Sequence, residues 1–167
     1  FAADGCRLQR LPESGSLRAT TRFGIESANP DFVLIHDAAR ANLSATDLDA
    51  IISAMLANPT NGHALGKKIT DTIHRQNDNG TIDVLSRDGL WGVETPQAFP
   101  FKAIHNAHQS QKSLSASDDL TIAAACGMTV KLIESTSDNF KITHPQDLTK
   151  FAQMKTVSIP RTGYGYD

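Results

Sequence analysis

The sequence predicts an α/β domain with a largely parallel sheet and one inserted β-hairpin arm. Short apolar stretches typical of strands alternate along the chain with stretches of helical periodicity, which favours strands joined by crossover helices. A turn-rich segment at 76–80, with an alternating apolar pattern on each side, is typical of a hairpin. A chain of 167 residues is long enough for one domain with a substantial core.

Composition and charge exclude several classes of protein. Hydrophobic and charged fractions of 40% and 20% are ordinary for a soluble protein and argue against a disordered, collagenous or coiled-coil chain. The formal net charge of -2 gives no electrostatic reason to expect nucleic acid or an anionic membrane as a partner. No apolar run approaches the ~18 residues that a membrane span needs. Cys6 and Cys126 lack metal-ligand spacing, so we expect free thiols in a reducing compartment.

The two ends of the chain lack ordinary terminal features. The chain begins Phe-Ala-Ala without an initiator Met, and residues 163–167, Gly-Tyr-Gly-Tyr-Asp, follow no closing element. We therefore expect that the chain is cut at both ends, and the absence of a targeting signal is uninformative.

The N-terminal part predicts two helices around one strand. Residues 1–15 predict a loop, and Ser16 predicts the N-cap of a helix that ends before the Asn-Pro pair at 29–30. Residues 32–35 predict a buried strand of the kind found in parallel sheets. Thr46 predicts the N-cap of the next helix, with an acidic residue three positions on. The apolar residues of that helix form one stripe and predict core positions: Leu48, Ile51, Ile52, Met55 and Leu56.

The next part predicts a turn and then a two-stranded arm. Asn-Pro-Thr-Asn-Gly at 58–62 is typical of a turn that ends the helix. Residues 69–74 alternate like a half-buried strand, and Ile82 and Val84 alternate again after the loop at 76–80. A two-stranded arm is marginal in isolation, so it must pack on its own domain or on a partner subunit. Dimerisation through the arm is therefore one of two open interpretations.

The segment at 94–100, Glu-Thr-Pro-Gln-Ala-Phe-Pro, predicts a rigid, extended stretch. Its two prolines lack the backbone N–H that a ladder needs, so we expect no regular strand pairing there. Residues 101–110 then predict a helix with Phe101, Ile104 and Ala107 on one face.

The C-terminal part predicts two more helices and two strands. Ser115 or Ser117 predicts the N-cap of the first helix, and the acids Asp118 and Asp119 in its first turn suit the helix dipole. The remaining boundaries follow in order: Gly127 as the helix end, a strand at 130–133, a short strand at 139–143, and a last helix that begins at Pro145.

The candidate site follows the strand at 32–35, in the sequence His-Asp-Ala-Ala-Arg at 36–40. Ligands of open α/β sheets bind outside the carboxyl ends of strands, so Asp37 would face a crevice. Asp37 could hold a divalent cation or a sugar hydroxyl, and Arg40 could pair with a phosphate. The structural alternative is that Asp37 caps the next helix and Arg40 neutralises it, which is the commoner arrangement for this spacing alone.

The order of seven short motifs carries a resemblance to a known family. They are His-Asp-Ala-Ala-Arg at 36–40, Asp-Thr-Ile at 71–73, Arg-Asp-Gly-Leu-Trp at 87–91, Thr-Pro-Gln-x-Phe at 95–99, Ser-Asp-Asp at 117–119, Asn-x-Lys-Ile-Thr at 139–143 and Pro-x-Asp-Leu at 145–148. In this order they resemble the 2-C-methyl-D-erythritol 4-phosphate cytidylyltransferases of the non-mevalonate isoprenoid pathway. The resemblance implies a Rossmann-like nucleotidyltransferase domain that joins CTP to methylerythritol phosphate with Mg2+ and releases pyrophosphate.

The resemblance also implies roles for individual residues. Lys141 and Asp37 are the implied catalytic residues, and Asp37 also lies near Mg2+ and the cytidine ribose. Thr20 stands where the family has a nucleotide-contacting Ser. The residues implied to bind methylerythritol phosphate are Thr72, Arg87, Thr95 and Arg40. In the family the arm crosses to a second subunit, so the resemblance implies a homodimer in which Thr72 and Arg87 act in the partner's site. It also implies a location in the bacterial cytoplasm.

The tail carries a second, shorter resemblance. Residues 161–167, Arg-Thr-Gly-Tyr-Gly-Tyr-Asp, are similar to the opening of 2-C-methyl-D-erythritol 2,4-cyclodiphosphate synthases. This implies a bifunctional parent in which Asp167 is the first ligand of a second divalent metal, Zn2+ or Mn2+. We therefore expect residues 1–156 to be the C-terminal two thirds of a cytidylyltransferase domain with its arm at 66–87. Residues 157–167 are then expected to be a linker and the start of a cyclase domain.

Two other interpretations stay open at this point. The chain could be a different sugar-type nucleotidyltransferase, or a non-catalytic fragment that dimerises through the arm. The family's glycine-rich loop, whose backbone amides cradle the CTP phosphates, has no counterpart in these residues. We therefore expect the 167 residues alone to be inactive and their parent enzyme to be active.

Overall fold

The computed structural model describes residues 30–110 and 116–155. The predicted loop at 1–15 and the helix that begins at Ser16 lie outside these residues. The elements in chain order are β1 (Phe32–Ile35), α1 (Ala45–Ala57), β2 (Gly62–Lys68), β3 (Ile73–Gln76), β4 (Ile82–Leu85), β5 (Trp91–Pro100), α2 (Phe101–Ser110), α3 (Asp119–Ala125), β6 (Val130–Glu134) and α4 (Pro145–Lys155).

The described strands form a four-stranded mixed sheet in the order β1-β5-β2-β6. β2 and β6 are parallel, whereas β5 is antiparallel to both of its neighbours, β1 and β2. Three of the four strands therefore run in one direction, and β5 runs against them. The predicted α/β class with an inserted hairpin is confirmed. β1 is an edge strand of this sheet rather than a fully buried one, and Leu34 is 38% exposed.

β5 overturns the prediction that 94–100 makes no regular pairing. It pairs with β1 through contacts such as Ile35↔Gln97, and with β2 on its other side. The β2 pairing shifts register between Ala64 and Gly66, which leaves Pro96 at an irregularity, and Pro100 is the last residue of the strand. Prolines are tolerated at both kinds of position because no interior ladder bond is lost there. Thr95 thus lies inside a strand, next to its bulge.

β2 is a central strand in a region where the sequence predicts a turn ending at Gly62. Its first five residues are buried, and it pairs with β5 and β6 along its length. Two glycines allow this close packing. A Cβ on Gly62 would lie 3.0 Å from the Phe99 ring, and a Cβ on Gly66 would lie 3.0 Å from the carbonyl oxygen of Gly92. The prediction that 69–74 form one strand is also wrong, because β2 ends at Lys68 and β3 begins only at Ile73.

Two apolar clusters lie on opposite faces of the sheet, since successive residues of a strand point to opposite sides. The first contains Leu65 and Ala98 and is closed by Ile51 and Met55 of α1. The second is closed by α2 and α3, and its buried members are Ala64, Phe99, Phe101, Ile104, Ala107, Leu120, Ile122 and Ala123. The predicted apolar face of α2 is therefore confirmed. The domain has helices on both faces of its sheet, which leaves the strand ends open for a site.

Helix α1 begins two residues earlier than predicted. Its N-cap is Ser44, whose side chain accepts a hydrogen bond from the Asp47 N–H, and Thr46 lies inside the helix. The predicted stripe is only partly core, because Ile52 and Leu56 are 37% and 66% exposed. The stripe is wider than the sheet face that α1 covers.

Helix α3 is capped by Asp118, which accepts from the Thr121 N–H, rather than by Ser117. Ser115 lies outside the described residues. Asp119 is buried, and its Oδ1 lies 2.9 Å from Nε2 of His108 on α2, so its role is a cross-helix contact and not only a dipole effect. The predicted helix end at Gly127 is confirmed by its φ of 79°, which favours glycine.

The hairpin of β3 and β4 is a separate two-stranded sheet, hereafter the arm. Its register pairs Gln76 with Ile82, which confirms the predicted loop between them. Ile82 and Val84 are 61% and 68% exposed, so one face of the arm presents apolar side chains to solvent.

Two smaller findings concern the environment of the chain. Cys126 is an exposed free thiol, as expected, and Cys6 lies outside the described residues. Among the helices of the described ranges, none has the length and apolar character needed to span a bilayer.

Candidate active site

Three backbone segments converge beyond the C-terminal end of β1. The first is the turn at 36–40, and the second is β5 around Thr95. The β1–β5 register makes them neighbours, because it runs through Ile35↔Gln97 toward Thr95. The third is the segment at 139–142, where the Ile142 N–H donates to the Ala39 carbonyl at 2.8 Å. The predicted strand at 139–143 is wrong, since this segment bonds to a turn instead of to a sheet edge.

Asp37 and Lys141 form an ion pair at this convergence. Lys141 Nζ lies 2.7 Å from Asp37 Oδ2, and the two side chains are 49% and 23% exposed. The Ala39 N–H donates to the other carboxylate oxygen at 3.0 Å. Burial raises the pKa of the Asp37 carboxyl, but the hydrogen bond from Lys141, the Ala39 amide and the charges of Lys141 and Arg40 outweigh it, so the pKa lies below its ordinary value. Asp37 is therefore a carboxylate at neutral pH, beside an ammonium group that solvent can reach.

Thr95 connects β5 to the turn through its hydroxyl. The Asp37 N–H donates to Thr95 Oγ1 at 3.0 Å, and the same oxygen lies 3.1 Å from His36 Nδ1. His36 Nε2 lies 3.0 Å from the carbonyl oxygen of Arg40, which can only accept. In the neutral ring Nε2 therefore carries the proton and Nδ1 accepts from the Thr95 hydroxyl. The result is a turn whose shape is fixed by β5.

Arg40 and Asn139 connect the turn to the segment that carries Lys141. Arg40 Nη1 donates to the carbonyl of Asn139 at 2.8 Å. The side-chain Nδ2 of Asn139 donates to the carbonyl of Thr95 at 2.8 Å, and Asn139 is fully buried. All three converging segments are thus bonded to one another.

Asp47 holds the loop that leads from β6 to this segment. It is buried on α1 and accepts from the backbone N–H groups of Thr136 and Ser137 at 2.8 and 3.1 Å, and from both of their hydroxyls. Burial raises the pKa of Asp47, but these hydrogen bonds together hold it far below its ordinary value. The chain between β6 and Lys141 is therefore fixed by an ionised buried carboxylate.

An open cleft of about 330 Å³ lies between the turn, the end of β2 and the base of the arm. Its charged and polar lining residues are Arg40, Lys67, Lys68, Thr70, Asp71 and Glu94. Lys67 and Lys68 are 45% and 63% exposed, and their ammonium groups also contact Asp138 and Glu134. Arg40 lines the cleft and also belongs to the turn that carries Asp37, so the cleft opens next to that turn.

The structure brings together four of the residues named from the sequence: Asp37, Arg40, Thr95 and Lys141. It leaves Thr72 and Arg87 at the two ends of the arm, where Arg87 Nη1 donates to the Thr70 carbonyl. Within the described residues, no hydrogen bond or ion pair joins Thr72 or Arg87 to that cluster. Thr20 and Asp167 lie outside the described residues.

The sequence reasoning missed roles for Asn139 and Asp47. Asn139 belongs to the Asn-x-Lys-Ile-Thr motif, in which the resemblance implies a role for Lys141 only, and the three-dimensional contacts show what the Asn139 amide does. Asp47 sits in the first turn of a helix, where an acid is ordinary and gives no separate signal.

The described residues hold no group of three or more His, Cys, Asp or Glu side chains that could bind a metal by themselves. A magnesium ion that also binds substrate phosphates commonly needs only one or two carboxylates. Asp37 has lone pairs beyond those that accept from Ala39 and Lys141, so it fits such an ion.

The mixed sheet with helices on both faces and the carboxylate–ammonium pair at a strand end match an α/β domain of the nucleotidyltransferase class, as solved structures show. The solved cytidylyltransferase of Thermus thermophilus superposes with a TM-score of 0.78 at 28% identity, over 91% of this chain and 78% of that one. A structure described as bifunctional, from Campylobacter jejuni, superposes with a TM-score of 0.70 at 25% identity, over 82% of this chain and 35% of that one.

The chain belongs to the 2-C-methyl-D-erythritol 4-phosphate cytidylyltransferase family, which it matches over residues 10–155. A cytidylyltransferase of this name from Aeromonas hydrophila is 36% identical over 141 residues, which cover 82% of this chain and 57% of that protein. A "Bifunctional enzyme IspD/IspF" from Oleidesulfovibrio alaskensis is 36% identical over 145 residues, 84% of this chain and 36% of that protein. The resemblance drawn from the motifs is confirmed, and the chain spans less than two thirds of these relatives.

Proposed function

We propose that the protein carrying this chain transfers a cytidylyl group from CTP to 2-C-methyl-D-erythritol 4-phosphate. The observation that carries the proposal is the pair of Lys141 Nζ and Asp37 Oδ2, 2.7 Å apart, in the family-matching region. Asp37 lies in the same turn as Arg40, which lines the neighbouring cleft. A phosphate oxygen of methylerythritol phosphate attacks the α-phosphorus of CTP. The bond from that phosphorus to the bridging oxygen breaks, and pyrophosphate leaves.

The residues of the cluster suit this reaction because it needs charge stabilisation rather than a covalent intermediate. Negative charge spreads over the transferring phosphoryl oxygens, and fixed cations stabilise it. Lys141 presents its ammonium group to solvent at the cluster, and Arg40 offers the remaining guanidinium donors toward the cleft. Thr95 holds the turn that carries Asp37, so it supports the substrate site.

Asp37 is the residue that would hold Mg2+ together with the substrate phosphates. When bound there, the ion supplies positive charge that neutralises the phosphates of CTP. Asp37 itself keeps Lys141 in place through their ion pair and stays ionised because its pKa lies below the ordinary value.

We propose that the arm forms a homodimer contact. Its exposed Ile82 and Val84 offer an apolar face that a second arm or domain can cover. Thr72 and Arg87 lie at the base of the same arm, and within the described residues neither makes a hydrogen bond or ion pair to the cluster around Asp37. We infer that they bind methylerythritol phosphate in the partner's site. The open alternative is that the arm packs on its own domain. In the structure the domain does not cover the face that carries Ile82 and Val84, which favours the dimer.

The remaining expectations concern residues outside the described ranges. Thr20 is proposed to contact cytidine. Asp167 is proposed to bind Zn2+ or Mn2+ if a cyclase domain follows, an idea supported by the bifunctional relatives. The two phosphorylated substrates do not cross membranes unaided, which supports a cytoplasmic location for the reaction.

The test measures pyrophosphate release from CTP and methylerythritol phosphate by the complete gene product that carries this chain. We expect Lys141→Ala to lower kcat by about 10²–10³-fold, because one fixed charge at the transferring group is lost. Lys102→Ala, at an exposed position of α2, is the matched control and should keep the wild-type rate.

Two outcomes would contradict the proposal. Release with another nucleotide or sugar phosphate, but not with this pair, would favour a different nucleotidyltransferase. No release with any pair, together with a stable dimer, would favour a non-catalytic dimerising protein.

A further inference from the structure

We propose that Asn139 is a positioning residue that sets the place of Lys141 relative to Asp37. The inference rests on the proposed function and assigns a specific task to a residue beyond the phosphate-binding and catalytic groups. Asn139 makes no hydrogen bond to Asp37 or to the Lys141 ammonium group, and its contact with a cleft-lining residue is the bond that its carbonyl accepts from Arg40. It acts through the backbone of the segment that carries Lys141.

The geometry gives Asn139 two independent bonds to the rest of the site. Its side-chain Nδ2 donates to the Thr95 carbonyl at 2.8 Å, and its own carbonyl accepts from Arg40 Nη1 at 2.8 Å. One bond leads to β5 and the other to the turn after β1. A single residue therefore joins both partner segments.

A second attachment lies on the other side of Lys141. The Ile142 N–H donates to the Ala39 carbonyl at 2.8 Å. Lys141 is thus held between two fixed points, Asn139 and Ile142, and its Nζ reaches Asp37 from there. Removal of the Asn139 amide frees one of the two points.

The burial of Asn139 argues that its amide is retained for this contact. The residue is fully buried, and its Oδ1 has no hydrogen-bond partner within the described part of the chain. A buried polar atom without a partner costs free energy, which an apolar side chain of the same size would avoid. The amide at this position thus carries a penalty together with its bond to β5.

A neighbouring amide provides a matched control. Asn42 Nδ2 donates to the carbonyl of Asp138 at 3.0 Å, one residue before Asn139. It tethers the same loop but makes no bond to Thr95 or Arg40. If loop attachment in general were responsible, Asn42→Ala and Asn139→Ala would have similar effects.

The experiment is a double-mutant cycle on the complete gene product, with kcat and KM measured for both substrates. We expect Asn139→Ala to lower kcat about 10²-fold, since a displacement of about 1 Å at a reacting group has that effect. The KM for CTP should change by less than about threefold. In the Lys141→Ala background the same substitution should cost less than about twofold, because its effect passes through Lys141. Asn42→Ala should stay within about twofold of wild type.

Several results would overturn the inference. If Asn139→Ala lowered kcat by the same factor with and without Lys141→Ala, Asn139 would not act through Lys141. An equal loss in Asn42→Ala would show that the bond to Thr95 is not special. Asn139→Leu keeps about the size of the side chain, removes the Nδ2 donor and buries no unpaired polar group, so it tests the same bond if the alanine variant does not fold.

A crystal structure of the folded Asn139 variant tests the inference without any assay. We expect Lys141 Nζ to move beyond 4.0 Å, the ion-pair limit, from Asp37 Oδ2, and a distance still near 2.7 Å would refute the inference. If wild-type protein releases no pyrophosphate, the proposed function fails, and this structural comparison alone still decides the role of Asn139.

Discussion

Lys141 Nζ lies 2.7 Å from Asp37 Oδ2 although the two residues come from opposite ends of the described chain. The lysine side chain is about half exposed, and ion pairs in contact with solvent add only about 0–1 kcal/mol to stability. The pair therefore contributes little to the stability of the fold, and its main effect is to position the two charges. Its bonds to Thr95, Ala39 and the 139–142 segment keep both charges at one strand end.

Asp37→Asn should separate activity from stability. The amide keeps the size of the side chain but removes the charge that faces Lys141 and, in the proposed reaction, the substrate phosphates. We expect kcat/KM to fall by about 10²-fold or more. The free energy of unfolding should change by less than about 1 kcal/mol, because the pair is open to solvent. Pyrophosphate release and urea denaturation measure the two quantities. Asp31→Asn, an exposed carboxylate just before β1, should change neither.

Asp47→Asn should destabilise the fold by about 2–4 kcal/mol, since it weakens several hydrogen bonds to a buried charge. Urea denaturation of the two proteins gives the difference. Asp49→Asn is the matched control, because it lies on the same helix with its side chain exposed. A loss of less than about 0.5 kcal/mol in Asp47→Asn would show that the Asp47 carboxylate is not what holds the loop after β6.

The difference in stability between wild type and Asp47→Asn should depend on pH. The folded pKa of Asp47 lies below the ordinary value of 3.8, so the unfolded state binds the proton first as the pH falls. The stability contributed by the ionised group is complete above about pH 5 and is lost as the pH falls from there toward the folded pKa. The difference in unfolding free energy between wild type and Asp47→Asn should therefore shrink below about pH 4. A constant difference down to pH 2.5 would contradict the assigned shift.

Gly66→Ala should loosen the contact between β2 and β5. Its Cβ would lie 3.0 Å from the Gly92 carbonyl oxygen, a backbone atom that cannot rotate away. We expect a loss of about 1–3 kcal/mol in denaturant unfolding. The control is Gly92→Ala, whose Cβ would meet its nearest neighbour, the Ile69 side chain, at 3.7 Å, an ordinary contact. Equal losses in the two variants would mean that the close approach is not the cause.

Val84→Lys should weaken the proposed dimer. The substitution puts a charge on the apolar face of the arm, and we expect the dimer dissociation constant to rise at least about tenfold. Sedimentation equilibrium measures it. Asp78→Asn makes the same change in net charge in the arm's turn, away from that face, and should leave the constant unaltered. A monomeric wild-type protein would rule out the dimer itself.

The parts of the fold that the sequence predicted correctly are those with local signals. The periodic helices, the hairpin turn and Gly127 all depend on residues close in the chain. β2 was missed because Gly62, His63 and Ala64 have little strand propensity, and the strand forms through pairing with the distant β5 and β6. The prediction that the prolines of β5 prevent strand pairing was wrong for the same reason. Pairing with distant strands places Pro96 at a bulge and Pro100 at the end of the strand.

Some residues of the candidate site can also be predicted from local sequence, and others cannot. Asp37 could be located from the residues alone, because a carboxylate directly follows a strand. Lys141 depended on the resemblance, since nothing local distinguishes it from a solvated lysine. The role of Asn139 depends on contacts with Thr95 and Arg40 that only the folded chain brings together.

The arm leaves and rejoins the sheet at adjacent points. Lys68, the last residue of β2, pairs with Trp91, the first of β5, and the Ile69 N–H donates to the Leu90 carbonyl just beyond them. The excursion from 70 to 89 is thus closed at its base by the sheet itself. Insertions and deletions within it can accumulate during evolution without changing the strand register, so the arm can diverge while the fold and the cluster around Asp37 stay the same.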